Sequence, residues 1–137
     1  MHDLKVLLVE DDMIEVMKLT RAISSLKLPH EIIEASHGEA ALELLEHHKL
    51  NPDLILLDLN MPKMNGIEFL NNVKNNIDLS YIPVIIFTTS SNPKDLIDVY
   101  RIGISGYILK PLKYEDYVKK IDSLFKYWKI NELRNHK

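Results

Sequence analysis

Five short apolar runs, separated by stretches of helical period, constrain this chain more than any other feature. The strongest is residues 53–57 (DLILL), which ends at Asp58. Residues 4–9 (LKVLLV) run into Glu10-Asp11-Asp12, residues 83–87 (PVIIF) into Thr88, and residues 106–109 (GYIL) into Lys110-Pro111; residues 31–35 (EIIEA) are a weaker member. Runs this short and continuous read as strands covered on both faces. Pro83 stands at the first strand position, where its missing N–H costs no ladder bond.

The intervening stretches carry one apolar stripe each. Val16, Leu19, Ile23 and Leu26 share a helix face until Pro29 stops it. A helix over about residues 38–48 places Ala41, Leu44, Leu45 and His48 together, and Asn51-Pro52 ends that segment. Ile67, Leu70, Val73 and Ile77 form the next stripe. Pro93 suits the first turn of a helix carrying Leu96, Val99 and Tyr100, which Gly103 closes. The last stripe is Tyr117, Ile121, Leu124, Phe125 and Trp128. Strands alternating with helices through short connections make a parallel sheet with helices on both faces. The spacing predicts one α/β domain over residues 1–129 and a C-terminal tail, 130–137.

Composition narrows the chemistry. At 137 residues and 46% hydrophobic, one core is affordable, and with no cysteine there is no disulfide scaffold, thiol nucleophile or thiolate metal site. No apolar run approaches the ~20 residues of a membrane span, and the first residues lack a signal peptide's apolar segment, so the expected location is cytoplasmic. From Lys110 onward the chain has 8 Lys+Arg against 4 acids, although the whole has 17 against 20. Interspersed acids make that end a solvated helix face, and no nucleic-acid binding is expected from it. His47 and His48 are adjacent, diverge by about 100° on a helix, and read as surface.

In a parallel sheet, ligands bind beyond the carboxyl ends of the strands. Four acids (Glu10, Asp11, Asp12, Asp58), the Thr88 hydroxyl and the Lys110 ammonium are aimed there. Crowded carboxylates repel, so such a site takes up a proton or a cation. An all-oxygen donor set suits a hard divalent ion, Mg²⁺ or Mn²⁺. With the charge screened, Asp58 can attack a phosphoryl group, and the cluster reads as an aspartyl-phosphate site.

These residues, LLVEDD at 7–12, LILLDLNMPKMNG at 54–66, PVIIFTT at 83–89 and SGYILKP at 105–111, resemble the receiver domain of two-component response regulators over essentially the whole chain. The resemblance implies a flavodoxin-like, doubly wound five-stranded parallel sheet of order 2-1-3-4-5 with five helices. It implies that Asp58 accepts phosphate from a sensor histidine kinase or phosphotransfer protein and switches a partner-binding surface, the protein acting as a switch and not as an enzyme. Asp11 would ligate Mg²⁺ directly with Asp58 and the Asn60 backbone carbonyl, and Glu10 indirectly. The slipped pair Asp11-Asp12 is the alternative register. Thr88, Lys110 and Tyr107 would answer the new phosphate, Asn60 and Ser90 would tune its lifetime, and Lys110-Pro111 would be a cis peptide. The loop from Thr88 to Asn92, the helix after Pro93 and the Tyr107 strand would move, and that helix, that strand and the last helix would form the readout surface.

Few residues follow Trp128, which implies a stand-alone receiver; NNIDLSYIP and FKYWK resemble single-domain receivers associated with phytochrome-type kinases. Tyr117, Phe125 and Trp128 offer aromatic surface for a homodimer. Two other readings compete. A haloacid-dehalogenase-like phosphatase needs a second Asp two places after the nucleophile, where Asn60 stands. A flavodoxin-like electron carrier needs a phosphate-binding loop after the first strand, where this chain has EDDM.

Overall fold

The structure, a computed structural model, describes residues 3–61 and 64–134. Five strands and five helices alternate: β1 Lys5–Val9, α1 Met13–Ser25, β2 Glu31–Ala35, α2 Gly38–Glu46, β3 Leu54–Leu57, α3 Gly66–Lys74, β4 Val84–Thr88, α4 Pro93–Ile102, β5 Gly106–Leu109 and α5 Tyr114–Lys129. All strand pairs are parallel, and the sheet order is β2-β1-β3-β4-β5. The flavodoxin-like order implied by the sequence is the one observed.

The period-two alternation of the strands divides the interior into two cores. Val6, Leu8, Leu54, Leu56, Ile85 and Phe87 face α1 and α5. Leu7, Val9, Ile55, Leu57, Val84 and Ile86 face α2, α3 and α4. Coverage on both faces is why the central strands β3 and β4 are buried throughout, while the edge strand β2 keeps two exposed glutamates; burying each Val, Leu or Ile stabilises by about 1.5–3 kcal/mol relative to exposure. The winding reverses between β1 and β3. The carboxyl ends of those two strands carry Glu10, Asp11 and Asp58, so the switch point of the sheet opens onto acids.

Helix starts follow local chemistry. The side chains of Asp12, Asn65 and Asn92 accept from the backbone N–H groups of Ile14, Glu68 and Lys94, each at 2.9 Å. His37 caps α2 through Nδ1, accepting from Ala40 N at 3.1 Å.

Several expectations are corrected. Ile77 is not on a helix face: α3 ends at Lys74, Asn76 Oδ1 accepts from Asp78 N at 2.9 Å to make a turn, and Ile77 is 88% exposed while Leu79 enters the core. His48 lies beyond α2 and is exposed, because the chain reverses through Lys49 at φ +55°. On α4, Val99 alone is buried; Leu96 and Tyr100 face outward. Tyr117, Phe125 and Trp128 pack inside the chain's own core and offer no dimer surface, since the α1 and α5 face of the sheet absorbs them. The structured part also extends past residue 129. Leu133 is buried against the same core, and the Arg134 guanidinium stacks 4.2 Å from the Tyr81 ring centroid.

Candidate functional site

β1 and β3 deliver their acids side by side because they are hydrogen-bonded neighbours in register, Val9 opposite Leu57. Carboxylate oxygens of Glu10, Asp11 and Asp58 all lie within 4.8 Å of one another. Glu10 and Asp58 are buried, and Asp11 is exposed at the mouth. Asp12 stands apart from this cluster as the cap of α1. Of the two registers left open by the sequence, the carboxylates thus assemble as Glu10 and Asp11 with Asp58.

One buried ammonium faces the acids. Lys110 Nζ donates to Glu10 Oε1, lies 3.2 Å from Glu15 Oε1, and sits over the Phe87 ring at 5.5 Å from its centroid. Burial raises the Glu10 carboxyl to about 7; Lys110 opposes the rise, and the Asp58 charge adds to it. Burial pulls Lys110 down, but Glu10, Asp58 and Glu15 together hold it above its ordinary value. The Glu10, Asp11 and Asp58 carboxylates, packed this closely beside one ammonium, leave a pocket lined by oxygen, which fits a hard divalent cation. Glu10, Asp11 and Asp58 would hold it.

A second set of contacts centres on Ser90, after β4. Its backbone N–H donates to the fully buried Thr88 Oγ1 at 3.2 Å, its carbonyl accepts from the Tyr107 hydroxyl at 2.7 Å, and its own hydroxyl donates to Asp95 at 3.0 Å. Thr88, Tyr107 and the start of α4 are therefore tied through one residue. Burial raises the Tyr107 hydroxyl; Asp95 and Asp58 add to this, and the bond to Ser90 opposes it. Asn60 is exposed after β3.

No cis peptide occurs among the described residues, so Lys110-Pro111 is trans, contrary to expectation. The trans form is the more stable by about 0.5–1 kcal/mol even before proline. Lys110 needs no cis bond to reach the pocket: its N–H donates to Thr88 O at 2.8 Å and its side chain extends straight to Glu10.

Comparison with known proteins places the chain in a family. The family model of the response regulator receiver domain matches residues 6–122. The chain belongs to the response regulator receiver domain family. This receiver is 35% identical over 127 residues to the probable methanogenesis regulatory protein FilR2 of Methanothrix harundinacea, covering 90% of this chain and 82% of that one. It is 34% identical over 128 residues to response regulator Rcp1 of Synechocystis, covering 90% and 87%. Among solved structures, the phosphorylated cyanobacterial phytochrome response regulator RcpA superposes with a TM-score of 0.89 at 30% identity, covering 97% of this chain and 99% of that one. The Mn²⁺-bound form of Rcp1 gives 0.87 at 33% identity, covering 95% and 98%. Two-component signalling is the family's role, and the receiver's resemblance to phytochrome response regulators is upheld. No helix among the described residues is long and apolar enough to cross a membrane.

Sequence reasoning passed over Glu15. Asp12 and Glu15 stand in the spacing of a capping box, in which the second residue returns to the cap's N–H. Here Glu10 Oε2 takes the Asp12 N–H at 3.2 Å, leaving Glu15 free to turn toward Lys110 and Lys18. The spacing was visible; the diversion depends on contacts between distant parts of the chain.

Proposed function

We propose that Asp58 is the phosphoacceptor of this receiver, with Mg²⁺ as the ion held by Asp11, Asp58 and the Asn60 backbone carbonyl, and by Glu10 indirectly. The observation that carries the reading is the convergence of the Glu10, Asp11 and Asp58 carboxylates at the switch point beside a buried lysine. An Asp58 oxygen attacks the phosphorus of a phosphohistidine, the P–N bond breaks, and the imidazole nitrogen leaves with its electron pair. The divalent ion supplies charge neutralisation on the transferring oxygens. Lys110 moves its ammonium toward the new phosphoryl oxygens, and the Thr88 hydroxyl donates to one of them. Asn60 and Ser90, two places beyond Asp58 and Thr88, govern water access and hence the lifetime of the phosphate.

The donor is a histidine kinase of the phytochrome type or its phosphotransfer protein, in keeping with the relatives RcpA and Rcp1 and with a cytoplasmic location. Met13, Ile14 and Met17 on α1 and the fully exposed Leu112 supply apolar surface on the segments that follow β1 and β5 at this edge of the sheet, suited to a helical partner that brings its phosphohistidine to the pocket. The response runs from Thr88 through Ser90 to Tyr107 and α4. Unit charges about 4 Å apart interact by roughly 4 kcal/mol at an effective dielectric of 20, before desolvation costs. That is comparable with the ~5.5 kcal/mol that converts 1:99 into 99:1.

The test is incubation of the protein with acetyl phosphate and Mg²⁺, followed by intact mass. One added phosphoryl group, lost with chelator and absent in Asp58→Asn, is the expected result. Equal incorporation by Asp58→Asn removes Asp58 from the role.

A further inference from the structure

Lys110 is shared by more carboxylates than one ammonium requires. Its side chain and that of Glu10 are almost fully buried, and Glu15 closes on it from α1. Glu15 bridges two cations: Oε2 accepts from Lys18 Nζ at 3.4 Å, and Oε1 lies 3.2 Å from Lys110 Nζ. Oε1 is buried and makes no directed hydrogen bond, so proximity to the ammonium alone compensates it. A buried carboxylate oxygen is costly without such a partner, which ties Glu15 to the position of Lys110. Beneath the pair, the Tyr117 hydroxyl is buried without a hydrogen bond, and Lys18 lies over its ring at 4.7 Å.

We propose that Glu15 is a positioning residue: it restrains Lys110 on the α1 side of the pocket and thereby sets how tightly the site holds a phosphoryl group at Asp58. The inference rests on Asp58 being the phosphoacceptor. The Lys110 backbone is pinned by its N–H bond to Thr88 O, so the ammonium moves by side-chain rotation alone. A phosphoryl group at Asp58 must draw it from two carboxylates, Glu10 and Glu15. Removing the Glu15 charge leaves one competitor, and Lys110 transfers more readily. When Lys110 leaves, Glu15 keeps Lys18 as counter-ion, and the Tyr117 hydroxyl offers a donor nearby.

The test titrates the full chain with beryllofluoride and Mg²⁺, following binding by calorimetry. Glu15→Gln preserves shape and removes charge, and it tightens binding by at least about threefold; Glu15→Ala moves in the same direction. Glu15→Asp, which restores the charge, returns the affinity toward wild type. In a Lys110→Gln background, Glu15→Gln has no effect. A merely structural Glu15 would weaken binding when replaced. Unchanged or weaker binding by both Glu15→Gln and Glu15→Ala overturns the proposal. So does the same tightening in the Lys110→Gln background, because that is the general field of one lost negative charge. If wild type itself fails to bind beryllofluoride, the Asp58 reading fails first, and the role of Glu15 falls with it.

Discussion

Gly66 opens α3, and a single methyl group added there reaches the phosphoacceptor strand. A Cβ built on Gly66 lies 2.6 Å from the Asp58 carbonyl oxygen and 2.6 Å from Leu59 Cα. Both are backbone atoms and cannot rotate away, whereas ordinary contact begins at 3.4 Å. The backbone after β3 must therefore retreat from α3 by about 0.8 Å, against the bond from Gly66 N to Leu59 O at 3.2 Å. Overpacking of this kind costs about 1–3 kcal/mol. Asp58 moves with its own carbonyl, and a displacement near 1 Å at a reacting group costs up to about a hundredfold in rate. Gly66→Ala is expected to lower the free energy of unfolding in urea by that amount and to slow acetyl phosphate labelling at least about tenfold. Gly106→Ala is the control: its Cβ would meet Ile85 Cγ2 at an ordinary 3.7 Å, and stability should stay within about 0.5 kcal/mol. A Gly66→Ala protein with wild-type midpoint and labelling rate would refute the steric argument.

Three further outcomes follow from the same coordinates. Asp11→Asn should weaken Mg²⁺ binding by about tenfold or more, while Asp12→Asn, which keeps the α1 cap, should change it less than about twofold; Mg²⁺ titration reads both, and the reverse order would restore the slipped register. Burial, with Lys129 adding and Asp3 opposing, holds His30 below its ordinary value of 6.5, and its neutral Nδ1 accepts from Leu4 N at 3.0 Å. The unfolded chain then binds the extra proton first, so this contribution is full above 6.5 and is lost as pH falls toward the lowered value. Urea midpoints across that range should fall less steeply for His30→Gln than for wild type, and equal slopes would discount His30. Leu133→Ala should cost about 2–3 kcal/mol in urea unfolding, where a frayed tail would show none.

The strands and their acidic tips were legible because burial on both faces leaves continuous apolar runs, and the polar residue ending each run marks the sheet edge. Periodicity did not show where helices stop: Ile77 continues the α3 stripe in sequence, but the Asn75 and Asn76 turn removes it from the helix. Aromatics at helical spacing on α5 announced a face without saying what covers it, and the sheet covers it. Leu133 was hidden as one apolar residue in a polar tail. Glu15 read as an ordinary first-turn acid, because the position of Lys110 is set by β5, far away in sequence.

Chemical mapping of the modified residue tests the central claim most directly. An acyl phosphate on aspartate is reduced by borohydride to homoserine. Protein labelled with acetyl phosphate and Mg²⁺, treated with borotritide and digested, should therefore carry tritium at position 58 alone. Tritium at Asp11 or Asp12, or an acid-stable phosphate on Thr88 or Ser90 with none at Asp58, would contradict the account.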